Sequence, residues 1–467
     1  ERYGASFLPE DITIQDWSVT YDDLEPYYDQ FEYLCGTSGT AGNLKGQIQD
    51  GGNPFEGPRS RPYPTPAQQQ PFSQTLFAKA ASELGYKPFP QPSGNLSQPY
   101  TNPLGTRLGQ CTYCGFCEWF GCGNYSKASP QTTILPVLVR KSNFSFRDNS
   151  EVIKINTDAA GTRATGVTFV DTSNQEWEQP ADLVILSAYS MFNVQLLLHS
   201  KIGQPYNPVA NAGVVGRNFT HQTVSSVNGF FDNKKYNFNP FIASGSIGMC
   251  IDEFNGDNFD HGPHGFVGGA YMGQVQTGGR PIETTLVPPG TPKWGAAWKK
   301  AARENYLSTV KPGTGVHGSF YSYRDVYLDL DPTYKDRFSR PLMRMTIDFH
   351  DNEIKQNRFM TDKFAEIIQA MGAHTVQKQY RTAPYDITQY QTTHLNGGAI
   401  IGADPKTSAV NRYLQSWDVS NLFVLGASAF PQNAGYNPTG TVGALAFWAA
   451  AAIRDQYLKN PGPLVHA

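Results

Sequence analysis

Charge is scarce in this chain. Only 16% of its residues are Asp, Glu, Lys or Arg, and the 37 basic residues nearly cancel the 40 acidic ones. The resulting net charge of −3 leaves no basic stripe for nucleic acid and no polybasic arm for anionic lipid. Long apolar runs are also missing. A membrane-spanning helix needs about 18 consecutive apolar residues, and the best candidate, 441–453, is too short. The chain is therefore not expected to cross a membrane by itself. Glu1 is followed by neither a charged n-region nor an apolar h-region, so a targeting segment is expected to be absent or to lie on another polypeptide. What remains is a globular composition, 39% hydrophobic over 467 residues, long enough for a large core and more than one domain.

Cysteine is rare too, six in all, yet four fall in the single run Cys111-Thr-Tyr-Cys114-Gly-Phe-Cys117-Glu-Trp-Phe-Gly-Cys122. At C-x2-C-x2-C-x4-C spacing each short loop returns a sulfur to the same small volume, which suits an iron–sulfur cluster and electron transfer. Covalent haem is excluded, because Gly115 follows Cys114 and Glu118 follows Cys117 where His is required. Structural zinc usually takes two well-separated C-x-x-C pairs, and here the pairs overlap at Cys114. A thioredoxin-like pair would join a strand to a redox helix, a pattern the residues around Cys111 lack. Zinc and disulfides stay open as alternatives. Gly123 stands where a ferredoxin motif has Pro, so the ligand number is open as well. Cys35 and Cys250 read as small buried apolar residues.

Residues 1–110 are rich in Pro, Gly, Gln and Tyr and read mostly as wrapping loop, with one helix where Phe72, Leu76, Ala80 and Leu84 recur at helical spacing. Residues 130–140 look helical, and strands follow near 144–155, 164–171 and 183–187. The segment Leu183-Val-Ile-Leu-Ser is apolar on both faces, as in a covered parallel sheet, and feeds a helix over 193–199. This strand-to-helix step predicts an α/β, doubly wound nucleotide-binding sheet with ligands at the carboxyl ends of its strands. The middle of the chain predicts a second, sheet-and-helix domain, with strands near 319–330 and 341–349 and a helix over 355–371. The string Gly313-Thr-Gly-Val-His-Gly318 matches G-x-G-x-x-G, but no apolar strand precedes it and a strand follows, so it is not read as a phosphate loop.

Near the C-terminus, Asn421-Leu-Phe-Val-Leu-Gly-Ala-Ser reads as a buried strand entering a small-residue turn where a ligand can approach backbone. Asn437 then stands at a capping position with Pro438 in the first turn of an Ala-rich, apolar helix. The amino terminus of that helix would set partial positive charge beside the strand end, which suits an anionic group such as reduced flavin.

Taken in order, the cysteine run, Asp182-Leu-Val-Ile-Leu-Ser-Ala, Gly216-Arg-Asn, Thr393-His394-Leu-Asn-Gly-Gly, Asn421-Leu-Phe-Val-Leu-Gly-Ala-Ser and Asn437-Pro-Thr-Gly-Thr resemble the glucose-methanol-choline (GMC) oxidoreductase superfamily. Within it, the segment Cys111 to Cys122 and Phe266-Val-Gly-Gly-Ala are most similar to the flavoprotein subunits of membrane-associated gluconate 2-dehydrogenases and related sugar and polyol dehydrogenases. The resemblance implies a GMC-like fold: wrapping loops and a cysteine segment over 1–135, an FAD-binding domain in two parts over 136–225 and 385–467, and a substrate domain over 226–384. Family members begin with a βαβ unit carrying a G-x-G-x-x-G flavin fingerprint. This chain has none, so the pyrophosphate half of the flavin site is expected to lie outside these residues.

The resemblance further implies FAD as cofactor and His394 as catalytic base, with Asn437 as the partner group. The chemistry asks for such a pair, since hydride leaves an alcohol carbon most easily while the hydroxyl proton is being removed and the oxygen is held. It assigns Val152, Ser187, Ala188, Gly426, Ala427, Asn437, Pro438 and Thr439 to the cofactor. It implies a three-iron (3Fe-4S) cluster on Cys111, Cys117 and Cys122, with Cys114 a neighbour, or a fourth ligand in a 4Fe-4S cluster. The implied substrate is a sugar acid, sugar or polyol. The implied partners are a small chaperone-like subunit and a multihaem cytochrome c that feeds quinone, at the periplasmic face of a bacterial inner membrane reached only through a partner. Arg280 is a candidate for meeting a substrate carboxylate.

Overall fold

The computed structural model describes residues 2–117, 120–239, 241–245, 247–276, 286–310, 315–389 and 394–466. Arg280 therefore lies outside the described residues. Two cores organise the rest. The first surrounds a pair of parallel strands, Val184–Leu186 and Leu422–Val424, in the register Leu422 to Val184 and Val424 to Leu186. The helix Ser190–Ser200 continues directly from the first strand, burying Val194, Leu196 and Leu197 against it. Among the described residues this pair is the whole of the parallel sheet, so the doubly wound sheet expected from the sequence is represented by two strands only. Ile185, expected to be covered on both faces, is 51% exposed.

A separate antiparallel sheet of three strands, Glu151–Thr157, Ala164–Val170 and Glu176–Pro180, stands beside the helix. Asn421 ties this sheet to the parallel pair: its Nδ2 donates to the carbonyls of Ala164 and Asp182, both at 2.8 Å, and its Oδ1 accepts from the Ala164 N–H.

The second core lies under a seven-stranded antiparallel sheet that includes Thr223–Phe230, Gly315–Gly318, Ala270–Val275 and Gly248–Ile251. Helices Phe72–Glu83 and Asp351–Ala370 pack on one face of it, with Phe77 and Phe364 in ring contact at 5.8 Å and Met272, Val227 and Ile368 filling the layer. The residues Gly315–Gly318 are a strand inside this sheet and not a phosphate loop.

The helix Tyr21–Cys35 departs from the wrapping loop expected for residues 1–110. Thr20 and Asp23 form a reciprocal capping box that starts it, Gly36 in the left-handed conformation ends it, and Pro26 is accommodated inside. It packs along the helix Thr439–Ala452, where Gly443 makes the crossing close. A Cβ at Gly443 would meet the Phe31 ring at 2.4 Å. Tyr28 and Thr441 share a 2.7 Å hydrogen bond at the same contact. The Thr439–Ala452 helix begins one residue later than expected: Pro438 is its cap residue, and no side chain makes a capping bond there. Asn437 is therefore not a cap. No described helix is long and apolar enough to cross a membrane.

Candidate active site

The carboxyl ends of the two parallel strands lie side by side, because Leu425 N–H continues the ladder to the Leu186 carbonyl at 2.8 Å. This places Ser187 and Ala188 next to Gly426 and Ala427, the edge where ligands bind in such sheets. Asn193, wholly buried, clamps the two ends together. Its Oδ1 accepts from the Ala188 N–H at 2.7 Å, and its Nδ2 donates to the Leu425 carbonyl at 2.8 Å and to Ser428 Oγ at 2.9 Å. Gly426 adopts φ 109°, and an added Cβ there would meet nothing closer than 3.8 Å. Exposed Ser187 and Ala188 and the open ground before Gly426 fit a planar cofactor held against backbone. Val152 lies apart from this group, on the three-stranded sheet opposite Phe169.

His394 opens a segment that pairs antiparallel with residues 216–220. Asn396 and Thr220 exchange backbone hydrogen bonds at 3.0 and 2.9 Å, and Gly398 N–H bonds the Arg217 carbonyl. Gly397 is required in this pairing, since a Cβ would strike the Asn218 carbonyl oxygen at 1.8 Å. The register puts Gln222 across from His394, and Gln222 Oε1 lies 2.5 Å from His394 Nδ1. Asn433 Nδ2 donates to the His394 carbonyl at 3.3 Å. His317, 5% exposed, faces the same imidazole with ring centres 6.0 Å apart, and its Nδ1 has no hydrogen-bond partner. Burial pushes His394 down to about 4, and burial followed by the neighbouring His394 pushes His317 down to about 3. Both rings are neutral near pH 7, the state a proton acceptor needs. Gln222 Nε2 also donates to the Gly435 and Tyr436 carbonyls, at 2.7 and 2.9 Å, so the segment ending at Asn437 is anchored to the same side chain as His394.

The four cysteines of the run line one cavity of about 240 Å³ together with Asn95 and Phe116. All four are unbridged cysteines in this structure. Asn95 Nδ2 donates to Cys117 Sγ at 3.5 Å, and the Tyr113 N–H donates to Cys111 Sγ at 3.4 Å. Burial pushes the Cys117 thiol up. Cys122 is lowered: burial opposes the thiolate, but the backbone N–H groups of Lys127, Ser126 and Asn124 and the Lys127 charge outweigh it. Among the described residues no three His, Cys, Asp or Glu side chains close on a single metal ion.

Residues 5–224 and 323–446 match the GMC oxidoreductase family. The gluconate 2-dehydrogenase flavoprotein of Pantoea cypripedii is 51% identical over 471 aligned residues, which cover 100% of this chain and 76% of that protein. The chain belongs to the GMC oxidoreductase family. It is an FAD-dependent dehydrogenase acting on CH–OH groups. Among more distant GMC relatives, the fructose dehydrogenase large subunit of Gluconobacter japonicus is 25% identical over 96% of this chain and 77% of its own length. The FAD-dependent oxidoreductase from Chaetomium thermophilum shares the fold, with a TM-score of 0.52 at 13% identity over 96% of this chain and 84% of that one.

Of the residues singled out in the sequence, the fold brings Ser187, Ala188, Gly426 and Ala427 to one edge, and draws His394 and the segment preceding Asn437 onto one side chain. Pro438 and Thr439 open the adjoining C-terminal helix. Asn193, Gln222 and His317 were not singled out. Each is a common polar residue within or beside an otherwise ordinary strand or helix, and only the register of its partners reveals it.

Proposed function

We propose that this GMC dehydrogenase is a sugar-acid dehydrogenase of the gluconate 2-dehydrogenase type. The observation that carries this reading is 51% identity to the gluconate 2-dehydrogenase flavoprotein across the entire chain, joined to a half-buried neutral histidine at the matched motif. FAD, when bound, supplies the hydride acceptor. Ser187, Ala188, Gly426 and Ala427 hold it at the strand ends, with Pro438 and Thr439 at the amino terminus of the C-terminal helix. His394 takes the proton of the substrate hydroxyl, and Asn437 donates a hydrogen bond to the oxygen as negative charge develops on it.

Cys111, Cys117 and Cys122 would hold a three-iron cluster in this cavity, or a four-iron one with Cys114. Half-exposed Phe116, Phe120 and Phe241 surround this segment. A cluster held there would supply an exit for electrons toward partner subunits, a small chaperone-like chain and a multihaem cytochrome c feeding quinone, in the periplasm at the inner membrane. The test is anaerobic dye reduction by the FAD-loaded protein with gluconate, 2-ketogluconate, sorbitol, fructose and glucose supplied in turn. Gluconate should give the fastest turnover. A preference for fructose or sorbitol would overturn the substrate assignment, and peroxide release in air without dye would replace the dehydrogenase by an oxidase.

A further inference from the structure

On the reading that His394 is the base, we infer that Gln222 is its positioning residue, a single amide that fixes which imidazole nitrogen carries the proton and ties the base to the segment bearing Asn437. Gln222 is completely buried on the strand opposite His394. Its Nε2 lies 2.7 Å from the Gly435 carbonyl oxygen, 2.9 Å from that of Tyr436 and 3.4 Å from that of Ala434. Carbonyl oxygens only accept, so the nitrogen end of the amide must face them. The reversed amide would set oxygen against oxygen at three places. The other end, Oε1, is thereby committed to His394 Nδ1 at 2.5 Å. An amide oxygen cannot donate, so Nδ1 holds the hydrogen and the lone pair resides on Nε2.

An unrestrained histidine prefers the opposite tautomer, which would present N–H to a substrate hydroxyl and could not accept its proton. A wrong tautomer in a properly placed histidine is known to be severe for acid–base catalysis. The same amide nitrogen holds the carbonyls of Gly435 and Tyr436, the two residues before Asn437. Base and partner group are therefore spaced by one rigid side chain, and their contributions should be coupled. His317 is the titratable group that faces His394 from the adjacent strand, and it is neutral, so no described charge overrides the hydrogen bond in choosing the tautomer.

The experiment is ¹⁵N NMR of the full chain with labelled histidine, recorded without substrate, using His394→Asn to identify the signal. The unsubstituted protein should show His394 with Nδ1 protonated and Nε2 bare. Gln222→Leu should move the signal toward the Nε2–H tautomer and slow flavin reduction by about 10- to 100-fold, the range for removing an orienting partner of a functional histidine. Gln222→Glu still accepts from Nδ1 and should keep the tautomer and recover part of the rate. If Gln222→Leu does not fold, the other two spectra decide. An Nε2–H tautomer in the unsubstituted protein, or an unchanged tautomer and rate in Gln222→Leu, would overturn the inference. Because the spectrum needs no substrate, an Nδ1–H result in a protein that oxidises no alcohol supports the tautomer assignment while overturning the functional reading.

Discussion

Asn193 holds Ala188 by a 2.7 Å hydrogen bond and, through the other end of the same amide, the Leu425 carbonyl at 2.8 Å. One buried side chain thus locks the carboxyl ends of two strands that lie more than two hundred residues apart in the sequence.

Asn193→Leu removes the partner of the Ala188 N–H, the Leu425 carbonyl and the buried Ser428 hydroxyl, and leaving the buried one unpaired costs about 1–3 kcal/mol. The variant should unfold at lower urea than the parent in the absence of cofactor and should bind FAD more weakly in a fluorescence titration. Equal FAD affinity at equal stability would mean that the strand ends hold their spacing without Asn193.

Asn437 makes no cap, so replacing it should affect chemistry more than folding. Asn437→Ala should leave the melting temperature nearly unchanged while slowing flavin reduction. Asn437→Asp should slow it further, because a like charge beside the developing alkoxide adds repulsion to a lost donor. A loss of melting temperature with full turnover per folded molecule would assign Asn437 to structure.

Glu353 offers a test by pH. It is buried beneath Tyr323, whose hydroxyl lies 3.0 Å from both carboxylate oxygens. Burial pushes its carboxyl up to about 7, against 4.5 for the unperturbed group. A raised carboxyl binds more protons in the folded than in the unfolded state, so the contribution of Glu353 to stability is full below pH 4.5 and is lost as pH rises through about 7. Glu353→Gln should flatten that decline in urea unfolding measured across this range. An unaltered slope would show that Glu353 does not titrate there.

The cysteine cavity predicts iron and acid-labile sulfide in the purified protein. Cys117→Ser should abolish the cluster's spectroscopic signals, leave reduction of the flavin by substrate intact, and stop transfer to a cytochrome acceptor. Zinc without sulfide would contradict the assignment.

Much of this site was legible in the residues. The Asn421 strand and its small-residue turn stand where local pattern placed them, because backbone approach to a ligand demands Gly and Ala at fixed positions, whereas His394 was reached only through the family resemblance. The Tyr21–Cys35 helix was missed although Thr20 and Asp23 write out its capping box and Gly36 its stop; the Pro-, Gly-, Gln- and Tyr-rich composition of the whole 1–110 region hid it. Gln222 had no local signal. Its role exists only through the pairing of Thr220 with Asn396, a contact between segments far apart in sequence. The parallel strand around Ile185 was read as fully covered from its apolar composition, which cannot say how many neighbours a strand has within the described residues.

The central claim is that His394 is the proton acceptor in oxidation of a CH–OH substrate, and anaerobic rapid mixing of the FAD-loaded protein with gluconate tests it most directly. Burial holds the imidazole at about 4. The rate of flavin bleaching should therefore stay level from about pH 8 down to about pH 5 and fall only below that, as the base takes up a proton. His394→Ala, with FAD still bound, should bleach about two to four orders of magnitude more slowly, the range for loss of a general base. Bleaching at a near-normal rate in His394→Ala would contradict the account.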